Sequence, residues 1–272
     1  FNTSTGKLTS LGLMAEIPSP SFMAANPNGR FLYTSNEREY NEVMGSKVST
    51  FAIDPENGRL TLLKRTSSQG DGPAHIAVDR TGKALIVANY RGGNVAVLPI
   101  QSDGTLAEAT SVDQHYGQGG DPNRQAGPHA HGIAISPDNR YALIAEHGID
   151  QVMIYRFDAA KGTIVPANPP SFKEPPAQAP WHVRFHPSGA AAYVTNEIGG
   201  TVTVLAVSKS DGNLRELQTL RTAPEGFSGT NQPSEVLVDK AGKFLYVANR
   251  GDDSVGVCAI ESGKGTGSLV GH

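Results

Sequence analysis

The chain has 272 residues and a formal net charge of −3, and only 18% of it is Asp, Glu, Lys or Arg. It has no run of basic residues and no apolar run near the ~20 residues of a membrane helix, so neither nucleic acid nor a membrane is expected as a partner. The single cysteine, Cys258, excludes an internal disulfide; within Val-Gly-Val-Cys-Ala-Ile it reads as a buried, inert thiol rather than a nucleophile. The chain opens on Phe1, which leaves the compartment open: cytoplasmic, or periplasmic or secreted where a leader has been removed.

Taken in order, residues 1–17 read as the end of one strand, a Ser-Thr-Gly turn and a polar strand over Lys7–Leu11. A unit then recurs five times without gaps: Ser21–Glu37, Ala74–Tyr90, His131–His147, Trp181–Glu197 and Ser234–Arg250, with starts spaced by 53, 57, 50 and 53 residues. Each copy holds an alternating strand, a tight turn at Asn-Gly, Thr-Gly, Asp-Asn, Ser-Gly or Ala-Gly, and a second apolar strand. Such pairs supply the positive φ of a two-residue hairpin. A third strand follows each copy at Lys47–Ile53, Asn94–Ile100, Gln151–Phe157, Thr201–Val207 and Ser254–Ile260. A more polar fourth strand is clear at Arg59–Leu63 and Asn213–Leu217, and Pro-rich Val165–Pro170 is a poor copy of it. The final Gly267–His272 is again a fourth strand.

Four-stranded antiparallel units at a ~50-residue period predict an all-β fold, a β-propeller whose blades pack face to face around a channel. No blade buries both its faces alone, so residues 1–272 are expected to form one propeller domain. Five complete repeats plus an unpaired outer strand suggest a domain incomplete at both ends.

Blades repeat by rotation, so equivalent positions form rings at one mouth of the channel. The hairpin-end ring is Glu37, Tyr90, His147, Glu197 and Arg250. The inner-strand ring is Ser21, Ala74, His131, Trp181 and Ser234, with neighbours Phe22, His75, Gly132, His182 and Glu235. This sorting of ionisable groups to one end marks a ligand site. His131 suits a general base near neutral pH. Glu197 suits acid–base work, and Arg250 suits a clamp on an anion or a simple bridge to Glu197. Arg124, in a Gly/Pro/Gln loop, is a further anion contact. Trp181 either packs between blades or stacks on a sugar ring. His129, His75, His182 and Glu235 complete the candidate substrate-binding set. His129 and His131 could be half a metal site, but nothing else has ligand spacing, so neither metal nor cofactor is expected. There is no Gly-x-Ser-x-Gly elbow, Walker loop, His-Glu-x-x-His or Gly-x-Gly-x-x-Gly.

Several stretches carry a resemblance: Arg124-Gln-Ala-Gly-Pro-His-Ala-His131, Ser136-Pro-Asp-Asn-Arg140, Tyr155-Arg-Phe-Asp-Ala-Ala-Lys-Gly162, Phe185-His-Pro-Ser-Gly189, Val194-Thr-Asn-Glu197 and Ala248-Asn-Arg-Gly251. They resemble the seven-bladed propeller lactonase family, which includes propeller-type 6-phosphogluconolactonases and a fungal carboxy-muconate cyclase. The resemblance implies seven blades and a catalytic histidine, glutamate and arginine at His131, Glu197 and Arg250. A second arginine of the cyclase falls in a Pro-Arg-His motif that reads Pro180-Trp181-His182 here. Arg184, three residues along the same strand, should point to the opposite face. An Ala-Glu-Ile-His-like motif reads Ser234-Glu235-Val236-Leu237. The expected function is hydrolysis of a small-molecule sugar lactone, with or without a phosphate, as a 6-phosphogluconolactonase performs it. A muconate-type lactonising enzyme and a non-catalytic binding propeller are the alternatives.

Overall fold

The computed structural model describes residues 2–37 and 46–272, so Phe1 of the opening stretch lies outside the described residues. Five four-stranded antiparallel sheets follow one another in sequence. They comprise β1 (Pro20–Ala25), β2 (Phe31–Asn36), β3 (Lys47–Ile53) and β4 (Leu60–Ser67); β5 (Pro73–Val78), β6 (Ala84–Asn89), β7 (Asn94–Pro99) and β8 (Ser111–Gln114); β9 (Ala130–Ile135), β10 (Tyr141–Glu146), β11 (Gln151–Asp158) and β12 (Thr163–Lys173); β13 (Pro180–Phe185), β14 (Ala191–Asn196), β15 (Thr201–Val207) and β16 (Leu214–Arg221); and β17 (Gln232–Val238), β18 (Phe244–Arg250), β19 (Ser254–Ile260) and β20 (Gly267–Gly271). A single 3-10 turn, His147–Ile149, joins β10 to β11.

The inner strands β1, β5, β9, β13 and β17 pack on one another in that order. Four apolar cores lie between the five sheets. Tyr33 and Val48 meet Leu85 and Leu98 in the first, and Tyr193 and Val204 meet Val247 and Cys258 in the last. β6, β10 and β14 have a sheet on each side and are buried at every residue. This is why they read as continuous apolar runs rather than alternating ones. In β18 burial alternates, and Leu237, Tyr246 and Val255 are exposed.

Hydrogen bonds lock neighbouring blades beyond this packing. The hydroxyls of Tyr33, Tyr141 and Tyr193 each donate 2.9 Å bonds to backbone carbonyls about 70 residues ahead, those of Gly104, Ser210 and Gly265. At the turn end, Asn26 Nδ2 donates to Gly82 O and Asn139 Nδ2 to Asp79 Oδ2.

Three local expectations are corrected. The first hairpins are not two-residue turns. Each has one positive φ, at Gly29, Gly82, Asn139, Gly189 and Gly242, the fourth residue of its turn. Asn26-Pro27-Asn28-Gly29, Ser136-Pro137-Asp138-Asn139 and His186-Pro187-Ser188-Gly189 carry Pro at the second position, whose fixed φ favours a type I start. Second, Lys7–Leu11 forms no strand, and Leu8 and Leu11 are exposed. Alternation stabilises a strand only against a partner ladder, and none is present among the described residues. Third, the Pro-rich stretch Val165–Pro170 lies in the longest strand, β12, with 11 residues. β12 is an edge strand, where a missing N–H can face away from the ladder.

One buried carboxyl on this scaffold is poorly satisfied. Glu174, just after β12, accepts from Thr203 Oγ1 at 3.1 Å through Oε2, while Oε1 has no partner. Burial pushes its pKa from 4.5 up to about 7. The folded state therefore holds a proton that the unfolded chain releases between those values, and stability falls as pH rises through 4.5 to 7. Glu174→Gln removes this penalty. The gain in unfolding free energy over the parent should reach roughly 1–3 kcal/mol at pH 8 and vanish near pH 4.5, as measured by urea denaturation.

Candidate active site

Every inner strand is irregular near the mouth. Pairing registers shift between Pro20 and Phe22, Pro73 and His75, Pro180 and Val183, and Pro233 and Val236, and on β10 between Ile144 and Glu146, opposite His131 and Gly132. A bulge leaves two residues facing one and resets the alternation. Adjacent residues such as Trp181 and His182 can then both reach the channel group. The same bulge corrects the expectation for Arg184. It does not point away: its Nη2 lies 3.4 Å from Glu235 Oε1 and its Nε donates to Val236 O.

The upper group is built on Glu197, at the end of β14. Its carboxylate is buried and accepts three 2.7 Å bonds: from Arg124 Nη2 and His147 Nε2 on Oε2, and from Arg250 Nη2 on Oε1. Burial opposes the charge on Glu197, but the His147 bond, followed by Arg124 and Arg250, outweighs it and holds the carboxyl below its ordinary range. A carboxylate so fully engaged is a poor proton carrier and a good organiser.

His131, in β9, stacks on Trp181 with ring centroids 3.7 Å apart, and its Nδ1 meets Trp181 O at 3.0 Å. A carbonyl only accepts, so Nδ1 carries the proton and Nε2 the lone pair. Nε2 has no hydrogen bond among the described residues. Gly132 permits this approach of β9 to β13, because a Cβ there would lie 2.6 Å from His182 Cα and from Trp181 O. Burial drives the His131 pKa well below 6.5, with the electrostatic influence of neighbouring His182, His147 and Arg250 adding to it and the Trp181 O bond opposing. Arg250 also rests over the Trp181 ring, 4.9 Å from its centroid. Tyr90 stacks on His129 at 4.5 Å and lies edge-on to His131 at 5.7 Å; His129 Nδ1 donates to Tyr90 O at 2.8 Å.

A lower group continues down the channel. His182 lies 5.1 Å from His131 and 5.0 Å from His75, centroid to centroid, and Phe22 packs on His75 at 3.8 Å. His182 Nδ1 is 3.2 Å from Glu235 Oε2 but off the line of a hydrogen bond, so the two groups are in polar contact without one. Burial depresses the His75 pKa strongly, helped by His182 and Arg184. Below, the channel holds a cavity of about 730 Å³ lined by residues such as Ile76, Ile133, Arg184 and Phe185.

All nine candidates therefore come together, six in the upper group and His75, His182 and Glu235 in the lower. Sequence reasoning missed His147 and Tyr90 as site residues, although both occupy the hairpin-end ring that supplied Glu197 and Arg250. Among the described residues, no cluster of His, Cys, Asp or Glu could hold a metal ion.

An imidazole with a free ring nitrogen thus lies beside two guanidiniums clamped to one buried carboxylate at the mouth of a β-propeller. The chain belongs to the seven-bladed β-propeller lactonase family: the family model described as "Lactonase, 7-bladed beta-propeller" matches residues 1–272. It is 32% identical over 270 residues to the 6-phosphogluconolactonase of Bacillus subtilis (strain 168), covering 99% of this chain and 75% of that protein. A 6-phosphogluconolactonase of Formosa agariphila is 28% identical over 275 residues, covering 100% and 76%. Among solved structures, the periplasmic gluconolactonase of Pseudomonas aeruginosa superposes with a TM-score of 0.90 at 31% identity, covering 100% of this chain and 76% of its own.

Replacing Glu197 by Gln sets an amide N–H₂ against a guanidinium or imidazole donor. We expect a loss of about 1–3 kcal/mol in unfolding free energy, measured by urea denaturation, the usual scale for a bond to a charged group.

Proposed function

We propose that the chain is a sugar-lactone hydrolase of the 6-phosphogluconolactonase kind, with His131 as general base. The observation that carries this reading is the fixed tautomer of His131: Nδ1–H is held by Trp181 O, which leaves the Nε2 lone pair free. Water gives a proton to Nε2 as its oxygen bonds to the lactone carbonyl carbon. The developing oxyanion is met by N–H groups of Arg250 or Arg124 that Glu197 does not use. The tetrahedral intermediate collapses by breaking the bond to the ring oxygen, and the proton on Nε2 passes to that leaving oxygen. The product is the open hydroxy acid.

Glu197 acts here by holding Arg124, Arg250 and His147 in place rather than by moving a proton. Trp181 and Tyr90 offer aromatic surface to the sugar ring. A phosphate on the lactone would be met by the same two guanidiniums, which supports a phosphorylated substrate as one member of the class.

His131→Ala should lower kcat/KM for lactone opening by roughly 10²–10⁴-fold. Because the base form exists above the His131 pKa, which lies well below 6.5, activity should stay flat from pH 8 down through 6.5 and fall only in more acid solution. A stopped-flow lactone assay across pH reads both effects. Turnover of a carboxymuconate without turnover of any sugar lactone would replace this reading with the lactonising one.

A further inference from the structure

Four loops leading from a second strand to a third end in a residue with left-handed backbone: Gly93, Asp150, Gly200 and Asp253, at φ of 62°, 54°, 67° and 54°. Glycine is the default at such a position, and Asp is one of the few tolerated alternatives. Asp150 is buried and its carboxylate accepts four bonds. Oδ2 accepts from the backbone N–H of Gly120 and of Ala177, each at 2.8 Å. Oδ1 accepts from Gln125 Nε2 at 2.7 Å and from the Ala179 N–H at 2.8 Å.

These donors lie on two different connectors. Gly120 and Gln125 belong to residues 115–129, between β8 and β9, the stretch that carries Arg124 and His129. Ala177 and Ala179 belong to residues 174–179, which lead into Pro180, Trp181 and His182. Gln125 extends the knot: its Nε2 also donates to His147 O at 2.6 Å, and its Oε1 accepts from the Asp121 N–H at 2.8 Å.

The third blade departs from the repeat in a second, matching way. At one equivalent position near the end of the second strand, three other blades have a buried Asn that ties down the incoming connector, while Asn196 of the fourth bonds to Thr201 and Thr203 of its own sheet. Asn36 Nδ2 donates to Pro18 O, Asn89 to Ser68 O and Asn249 to Thr222 O. Here that residue is Glu146. It accepts from the Gly148 N–H at 3.0 Å and faces His115 Nδ1 at 3.3 Å, while His115 Nε2 bonds to Tyr155 OH at 2.8 Å. Both altered residues, Glu146 and Asp150, contact the connector that brings Arg124 to the mouth, and Asp150 also holds the one that leads into β13.

We propose that Asp150 and Gln125 are positioning residues. They lock the Arg124 connector onto the His147 turn and onto the entry to β13, so that Arg124, His147 and Trp181 meet the substrate in one fixed relation. Neither residue contacts Glu197 or His131, so their effect runs through Arg124 and His147. The kinetic part of the test rests on the lactonase reading; the spectroscopic part does not.

Asp150→Asn keeps a residue suited to the left-handed region, and Gln125→Met keeps volume while removing three hydrogen bonds. Each should be made alone and with Arg124→Ala. Each single variant is expected to lose ten- to a hundredfold in kcat/KM for lactone hydrolysis. In the Arg124→Ala background, the further loss should be several-fold smaller than in the parent, because one of the groups they place is already gone. Losses that simply multiply would overturn the proposal, since general damage adds to that of Arg124. If Asp150→Asn does not fold, Gln125→Met carries the same cycle. Independently of any substrate, the Nε2–H of His147 bonded to Glu197 should give a downfield proton resonance in the parent and exchange at least tenfold faster in both variants. Unchanged exchange also overturns the proposal. A parent that opens no lactone, with variants that still speed this exchange, would remove the lactonase reading and leave the positioning role standing.

Discussion

The carboxylate of Glu197 is the contact on which the mouth depends. Its three donors lie 73, 50 and 53 residues away along the chain. An isolated buried carboxylate is costly, and it becomes tolerable only when every donor arrives with good geometry. Arg124 comes from a connector, His147 from a 3-10 turn and Arg250 from the end of β18, so three blades must be seated before the charge is satisfied. The guanidiniums remain partly in water, at 41% and 46% side-chain exposure. They can therefore serve Glu197 and still present N–H groups to a ligand. In the proposed mechanism the same saturation leaves proton transfer to His131.

A rotationally repeated scaffold gives each blade the same backbone, and the site arises from local departures. The bulge at the start of every inner strand is common to all the blades, and it brings two successive side chains to the mouth instead of one. What fills that extra place differs: Ser21, Ala74, His131 with Gly132, Trp181 with His182, and Ser234 with Glu235. Gly132 shows the constraint most directly, because no side chain fits between β9 and β13 at that point. Without that close approach, the Trp181 carbonyl could not select the His131 tautomer.

Much of this was legible in the sequence, because the period of the repeat and the alternation within it are local signals. Five third strands begin where the pattern puts them, and equivalence of position alone brought His131, Glu197 and Arg250 to one opening. The errors have physical causes. Arg184 was misplaced by strict two-residue alternation, which the bulge at Trp181–His182 breaks. Lys7–Leu11 has a strand's pattern but no ladder among the described residues. The closing pair of each turn suggests a two-residue hairpin, whereas all five turns, with Pro27, Pro137 and Pro187 or without Pro, place a single positive φ at the fourth residue. His147 and Tyr90 were in the ring but had no visible partner, since the bond from His147 to Glu197 and the stack of Tyr90 on His129 are made across blades. Asp150 was still less visible: a single Asp in a loop says nothing of the four N–H groups that fold around it.

Opposed influences meet at the His131 ring. Burial, with the influence of neighbouring His182, His147 and Arg250, makes it a weak base, while the Trp181 carbonyl favours the protonated form. A weak base takes a proton from water less readily, but its conjugate acid gives that proton up more readily. Lactone opening needs both acts in turn, since the water proton must finally reach the ring oxygen. A base of high pKa would speed the first act and hinder the second. In the proposed mechanism the depressed value suits the complete cycle, and it follows first from burial of the ring where β9 packs against β13 and then from the neighbouring histidines. The same contact sets the tautomer and the acidity, so neither can be changed without moving the other.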